Sequence, residues 1–220
     1  MSSTFNKHPS VLLNELYKTK KHQGADPEKA KILFVGRDPN WTIDIENQDY
    51  FSYIDHYLND GISFWRTHNI HHPFLLPNYK GNGKKYHKFF AKLNLDQSFS
   101  DKISFVELIG FPTTGMAKKN NKLFREYLLS DENRKHLVDL DEVLNDKSKI
   151  VFVAWGLIED FIFIHQQIGL FKRFTLIDKT KMDKEGLNQI ENIYIQKHFS
   201  DSISNRTIEK MATEIRKIIS

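Results

Sequence analysis

An aspartate set directly behind a buried strand is the residue of this chain best placed to do chemistry. The apolar run Ile32-Leu33-Phe34-Val35 breaks into Gly36-Arg37-Asp38-Pro39-Asn40-Trp41. Consecutive apolar residues read as a strand covered on both faces, the kind found in parallel sheets. The glycine ends the strand, and the proline forces an extended bend that presents Asp38 on a tight turn at its carboxyl end. Ligands of open α/β sheets bind along that edge. A carboxylate placed there can act as a general base or stabilise a developing cation. Two further polar turns follow apolar strands: Gly110-Phe111-Pro112-Thr113-Thr114 and His198-Phe199-Ser200-Asp201-Ser202-Ile203-Ser204.

Taken singly, each of these residues has an ordinary structural explanation. An Asp before Pro forms Asx turns, and a His after a strand is a common surface or capping residue. Ser200 to Asn205 suits the N-cap region of a closing helix. Other chemistries find less support. His68, His71 and His72 lack a carboxylate or Cys at zinc-site spacing and read as polar loop histidines, so no metal is expected. Lys80-Gly81-Asn82-Gly83-Lys84 lacks the order of a phosphate-binding P-loop, and no nucleophile elbow occurs, so no cofactor is expected. The absence of Cys excludes disulfides, iron–sulfur clusters and thiol nucleophiles.

The elements that position these turns follow from periodicity. Val11 to Lys21 has the apolar spacing of an amphipathic helix. Ile32–Val35 is the first core strand, and residues 41–65 are irregular and aromatic. Tyr86 to Leu93 reads as helix, and Ile103 to Ile109 as the second strand. Leu123 to Leu144 holds two helical patterns that break near Ser130-Asp131. The third strand, Lys149 to Trp155, ends at Gly156 and runs into an apolar helix from Leu157 to Ile168. Arg173 to Ile177 reads as a short strand and Asn192 to Gln196 as a stronger one. The chain closes on a helix from about Asn205. Strands alternating with helices predict a three-layer α/β/α sandwich around a central four-stranded parallel sheet. The 220 residues suit a single domain, with residues 1–29 as a helical extension packed on it.

Composition bounds the rest. Apolar residues make up 40% and aromatics 13%, enough for a large core. Neither a membrane span nor the apolar segment of a signal peptide is present, so the expectation is an intracellular, cytoplasmic monomer. A net charge of +4 permits a nucleic-acid partner without demanding one. The basic, turn-rich segments around Lys84-Lys85 and Lys118-Lys119 are solvated loops or, on the sharper reading, phosphate contacts.

In their order along the chain, these segments resemble the uracil-DNA glycosylase superfamily. Val35-Gly36-Arg37-Asp38-Pro39-Asn40 looks like the first motif of its classical branch. The turn at His198 looks like its His-Pro-Ser-x-Leu-Ser motif, with Phe199 in place of Pro. Val106 to Thr113 is similar to the middle strand of the mismatch-specific branch, and Ile62-Ser63-Phe64-Trp65-Arg66 to that branch's Asn-Arg-Phe-Trp segment. Val151 to Gly156 matches the family's apolar strand ending in Gly. The resemblance spans about residues 30 to 215.

It implies a DNA glycosylase-like hydrolase that cleaves the N-glycosidic bond of a flipped base in single- or double-stranded DNA. Asp38 would orient the attacking water and stabilise the oxocarbenium-like sugar, and His198 would donate to a carbonyl oxygen of the leaving base. Gly36, Arg37 and Asn40 would contact the substrate. Phe51, 13 residues beyond Asp38, would be the stacking floor, with Tyr50 and Tyr53 as rivals. Ser200 and Ser202 would bind flanking phosphates, and Ile203 would fill the vacated space. Glu107 stands where the family usually carries an Asn that reads the uracil edge. Ionised, it pairs with a two-donor edge such as that of guanine; the other readings are a protonated or a structural Glu107. The rivals are a catalytically altered member of the fold that binds nucleic acid or a nucleobase, and an enzyme acting on free nucleosides.

Overall fold

The computed structural model describes residues 7–47, 49–81, 83–115, 121–201 and 203–218. The chain folds as an α/β protein around a six-stranded mixed sheet, with eight α-helices among the described residues. The strands are β1 (His22–Gly24), β2 (Ile32–Gly36), β3 (Ile103–Glu107), β4 (Ile150–Ala154), β5 (Asn188–Ile190) and β6 (Ile193–Gln196), in the order β1-β3-β2-β4-β6-β5. β2 pairs in parallel with β3 and β4, and β4 with β6, whereas β1 and β5 add antiparallel edges.

The sheet is therefore wider than the four strands expected, because two short polar strands carry no apolar run to announce them. One is His22–Gly24, so the segment expected as a helical extension also supplies a sheet edge. Arg173 to Ile177, expected as a strand, is part of a 3-10 turn at Lys172–Leu176, where Phe174 packs on Phe161 at 4.0 Å. An apolar residue anchoring a turn and one anchoring a short strand look alike in sequence.

The helices are α1 (Val11–Thr19), α2 (Phe51–Asn59), α3 (Gly61–His68), α4 (Lys84–Ala91), α5 (Asn121–Leu128), α6 (Asp131–Asn145), α7 (Leu157–Ile168) and α8 (Asn205–Lys217). Their starts follow capping chemistry: Ser10, Asp60, Ser130 and Ser204 each accept a backbone N–H three residues on. Alternation along the strands divides the core. Leu33, Val35, Val106, Val151, Val153, Ile193 and Ile195 pack with Phe124, Leu137, Leu140, Phe161 and Ile164 of α5, α6 and α7. Ile32, Phe34, Phe105, Phe152 and Tyr194 pack with Phe90 of α4 and Ile208, Met211 and Ile215 of α8. Phe34 sits at the centre of that second set, stacked on Phe152 at 4.8 Å and edge-on to Phe90 at 5.0 Å. Burying one such ring contributes roughly 1.5–3 kcal/mol. A third cluster, with Tyr17, Trp41, Tyr57, Phe64 and Phe74, joins α1, α2 and α3. None of the helices among the described residues is long and apolar enough to cross a membrane.

Candidate functional site

Parallel pairing brings the carboxyl ends of β2, β3, β4 and β6 to one side of the sheet, with Gly36 level with Glu107 and Ala154 level with Gln196. A cavity of about 620 Å³ opens there. Each of those four strands contributes: Gly36 to Trp41 after β2, Glu107 at the end of β3, Ala154 to Leu157 after β4, and Lys197, His198, Ser200 and Asp201 after β6. Asp38 and His198 thus line one space, together with the rings of Phe34, Phe74, Tyr86 and Phe105. Its volume lies within the range of small-molecule sites.

The Asp38 turn is stitched to the loop after β3. Thr113 donates its backbone N–H to the Pro39 carbonyl at 2.8 Å, and Trp41 N–H donates to the Thr113 carbonyl at 2.9 Å. The Thr113 hydroxyl donates to Asp38 Oδ2 at 2.5 Å, which fixes the carboxylate. Gly36 has a steric reason: a Cβ there would stand 3.2 Å from Cγ of Glu107. Gly115, at φ +80°, is pressed against the Asn40 amide, whose Oδ1 is buried without a hydrogen-bond partner.

The His198 turn is anchored from beneath. Phe199 is 1% exposed and joins the core beside Phe34. Ser200 N–H donates to His198 Nδ1 at 3.2 Å, so the ring proton resides on Nε2. Tyr86 lies against the imidazole at 5.2 Å.

Glu107 closes the floor. Gln23 Nε2 donates to its Oε1 at 3.4 Å, while Oε2 is shielded and unpartnered. Burial first, and the Asp38 charge second, push its pKa up to about 8. Gln23 is held in turn: Phe74 N–H donates to His72 Nδ1 at 3.2 Å, leaving His72 Nε2–H to donate to Gln23 Oε1 at 3.0 Å. His72 stacks on His87 with centroids 3.5 Å apart, and His87 is hydrogen-bonded to His71 at 3.1 Å. Burial pushes all three imidazoles down, His71 to about 3, so they stay neutral.

The structure separates the other expected site residues. Gly36, Arg37, Asn40 and Ser200 line the cavity. Arg37 nonetheless donates through Nε to the buried Asp160 at 2.6 Å and through Nη2 to the Gly156 carbonyl at 3.2 Å. Phe51 is not among the lining residues; it starts α2 and packs on the third cluster. The rings of Phe34, Trp41, Phe74 and Phe105 line the cavity instead. Ile203, expected to fill the space vacated by a flipped base, is 5% exposed in the core beside α8. Lys84 donates to the Tyr79 carbonyl at 2.8 Å and Lys85 is exposed near Phe89; neither lines the cavity. Ser202, Lys118 and Lys119 lie outside the described residues.

Sequence reasoning missed Gln23, His72, His87, Trp155, Lys184 and Lys197, all of them lining residues. The strand-ending Trp155-Gly156 was a usable signal, since residues following a parallel strand face this edge. No protein-family model, curated protein or solved structure matches the chain.

Proposed function

We propose that this protein is a hydrolase that cleaves the N-glycosidic bond of a nucleobase-bearing sugar, the base resting among the rings of the cavity. We read its architecture as a three-layer α/β/α sandwich whose central parallel strands deliver the site, flanked by the two antiparallel edges. The observation that carries the reading is that Asp38 and His198, from turns 160 residues apart, line one cavity at the carboxyl edge of the sheet. Departure of a base leaves positive charge on the sugar and negative charge on the base. Asp38, held by Thr113, stabilises the first and orients water; His198, through Nε2–H, donates to the second. The resemblance to the uracil-DNA glycosylase superfamily points to the same chemistry on a base in DNA.

The experiment is release of free base from duplexes carrying uracil, mispaired thymine, hypoxanthine or xanthine. Asp38→Asn is expected to lower the rate about 1,000-fold or more, because the carboxylate acts on charge present only in the transition state. Equal rates in variant and wild type would remove Asp38 from the mechanism. A second reading, the same hydrolysis on free nucleosides, is favoured by the burial of Ile203, which leaves the mouth without the expected wedge. DNA as substrate predicts a steep loss of affinity with salt; a free nucleoside predicts almost none.

A further inference from the structure

Besides Asp38 and the exposed Asp201, the cavity is lined by a carboxyl group to which the hydrolytic reading gives no task. Glu107 lines it from the end of β3, level with Gly36 on the neighbouring strand and so beside the turn that carries Asp38. The two carboxyl groups have opposite surroundings. Asp38 accepts from the Thr113 hydroxyl, a donor suited to a charged carboxylate. Glu107 has one long bond from the Gln23 amide and an unpartnered Oε2, and none of the ion pairs among the described residues includes it. The charge that acts on it is that of Asp38 from the β2 turn, and its own charge in turn raises the phenols of Tyr17, Tyr57 and Tyr86 on α1, α2 and α4. His72 reaches it only through Gln23, and His136 donates to its backbone carbonyl at 2.8 Å. Burial keeps both imidazoles toward the neutral form, so neither supplies a countercharge. Asp38 and Glu107, lining one cavity in contrasting environments, form the arrangement that divides acid from base work.

We propose that Glu107 is the general acid of the reaction and protonates the departing base, while Asp38 takes a proton from the attacking water. This rests on the hydrolytic reading above. The water oxygen bonds to the anomeric carbon as the carbon–nitrogen bond breaks, and the electron pair of that bond stays on the base. The Glu107 proton passes to a nitrogen or oxygen acceptor of the base, which leaves neutral. Asp38 holds the proton lost by water and returns it to Glu107 after the products depart, so only water is consumed. A pKa of about 8 keeps the Glu107 proton in place at neutral pH. As pH rises through about 8 the proton is lost and the rate falls.

The test is a leaving-group series: uracil, fluorouracil and nitrouracil at one position of a duplex and as free deoxynucleosides. Nitrouracil departs as a stable anion and needs no proton. Glu107→Gln is expected to slow uracil release about 100-fold or more and nitrouracil release less than about tenfold. It also removes the fall in rate above about pH 8 that the wild type shows. The ratio comes from one preparation, so partial unfolding of the variant cancels. Equal losses on uracil and nitrouracil, or a variant that keeps the alkaline fall, would overturn the acid role and leave the hydrolase reading standing. A wild type that releases none of the three bases would sink the hydrolase reading and the acid together.

Discussion

Two buried carboxyl groups flank the turn that carries Arg37 and Asp38, and the chain treats them in opposite ways. Asp160, on the first turn of α7, has no exposed side-chain surface and takes Arg37 Nε at 2.6 Å. Glu107, across the turn at the end of β3, is ion-paired with no cation among the described residues and meets only the Gln23 amide. Burial raises the pKa of both; at Asp160 the Arg37 guanidinium draws it back, whereas at Glu107 the Asp38 charge adds to the rise. The guanidinium next to the candidate catalytic aspartate therefore ties α7 to β2, and the carboxyl group inside the cavity keeps its proton. A charge that serves the fold is neutralised by its neighbour, and on the proposed reading the group that serves chemistry is left able to exchange a proton.

The comparison breaks most visibly if its paired half is removed. Arg37→Met strands Asp160 without its ion-pair partner, and loss of one member of a buried pair typically costs about 3–5 kcal/mol. Because Arg37 is 32% exposed, the lower end applies. The sign follows from protonation. In the variant a buried, ionised Asp160 is disfavoured, while below about pH 4 the carboxyl is protonated folded or unfolded. The deficit in denaturant melts should therefore be full at pH 7 and shrink as pH falls toward 4. A deficit independent of pH would mean that the packing of Arg37 over Phe124, and not its charge, holds the turn.

The unpaired half gives the opposite outcome. Glu107 has a folded pKa of about 8 and an unfolded value near the ordinary 4.3, so ionisation of the unfolded chain costs the native state stability as pH rises between them. Glu107→Gln removes that cost. The variant should be more stable than wild type by about 2–3 kcal/mol at pH 9, after allowance for relaxation of the site, with the gain vanishing toward pH 4. A stability gain with a loss of base release is the signature of a group kept for function. A variant less stable than wild type at pH 9 would show that Glu107 is held by contacts as Asp160 is.

One half of this comparison was legible in the chain and the other was not, for physical reasons. The Asp38 turn stands out because an apolar run, a glycine and a proline are local signals, and the break at Ser130 stands out because capping is local too. Glu107 was visible as a departure from the pattern of the family the sequence resembles, but its protonation depends on burial and Asp38, and its one hydrogen bond comes from Gln23, 84 residues away on a three-residue strand with no apolar alternation. Arg37 beside Asp38 looked like a substrate contact because nothing in sequence reveals Asp160, 123 residues distant, on the buried side of α7. Phe51 kept the expected offset and still missed the cavity, because an aromatic at the start of α2 can pack on either side of the turn. Ile203 went to the core for a related reason: Phe199 and Ile203 together pin the His198 turn from below.

The smallest expected effect isolates the link between the two halves of the floor. Gln23 receives the His72 Nε2–H and passes its own amide N–H to Glu107. Gln23→Leu keeps the bulk of the side chain and removes both bonds. Leaving the buried imidazole N–H without an acceptor should cost about 1–2 kcal/mol in stability. The effect on the carboxyl group is more informative. A donated N–H favours the ionised form, so its removal should move the alkaline fall in rate upward from about pH 8, by less than one unit given a bond of 3.4 Å. An alkaline limb that stays in place would mean that burial and Asp38 alone set the proton affinity of Glu107, with Gln23 only holding His72. A limb that moves downward would require a cation to approach Glu107 in the variant, and the two carboxyl groups on either side of Arg37 would then no longer differ in kind.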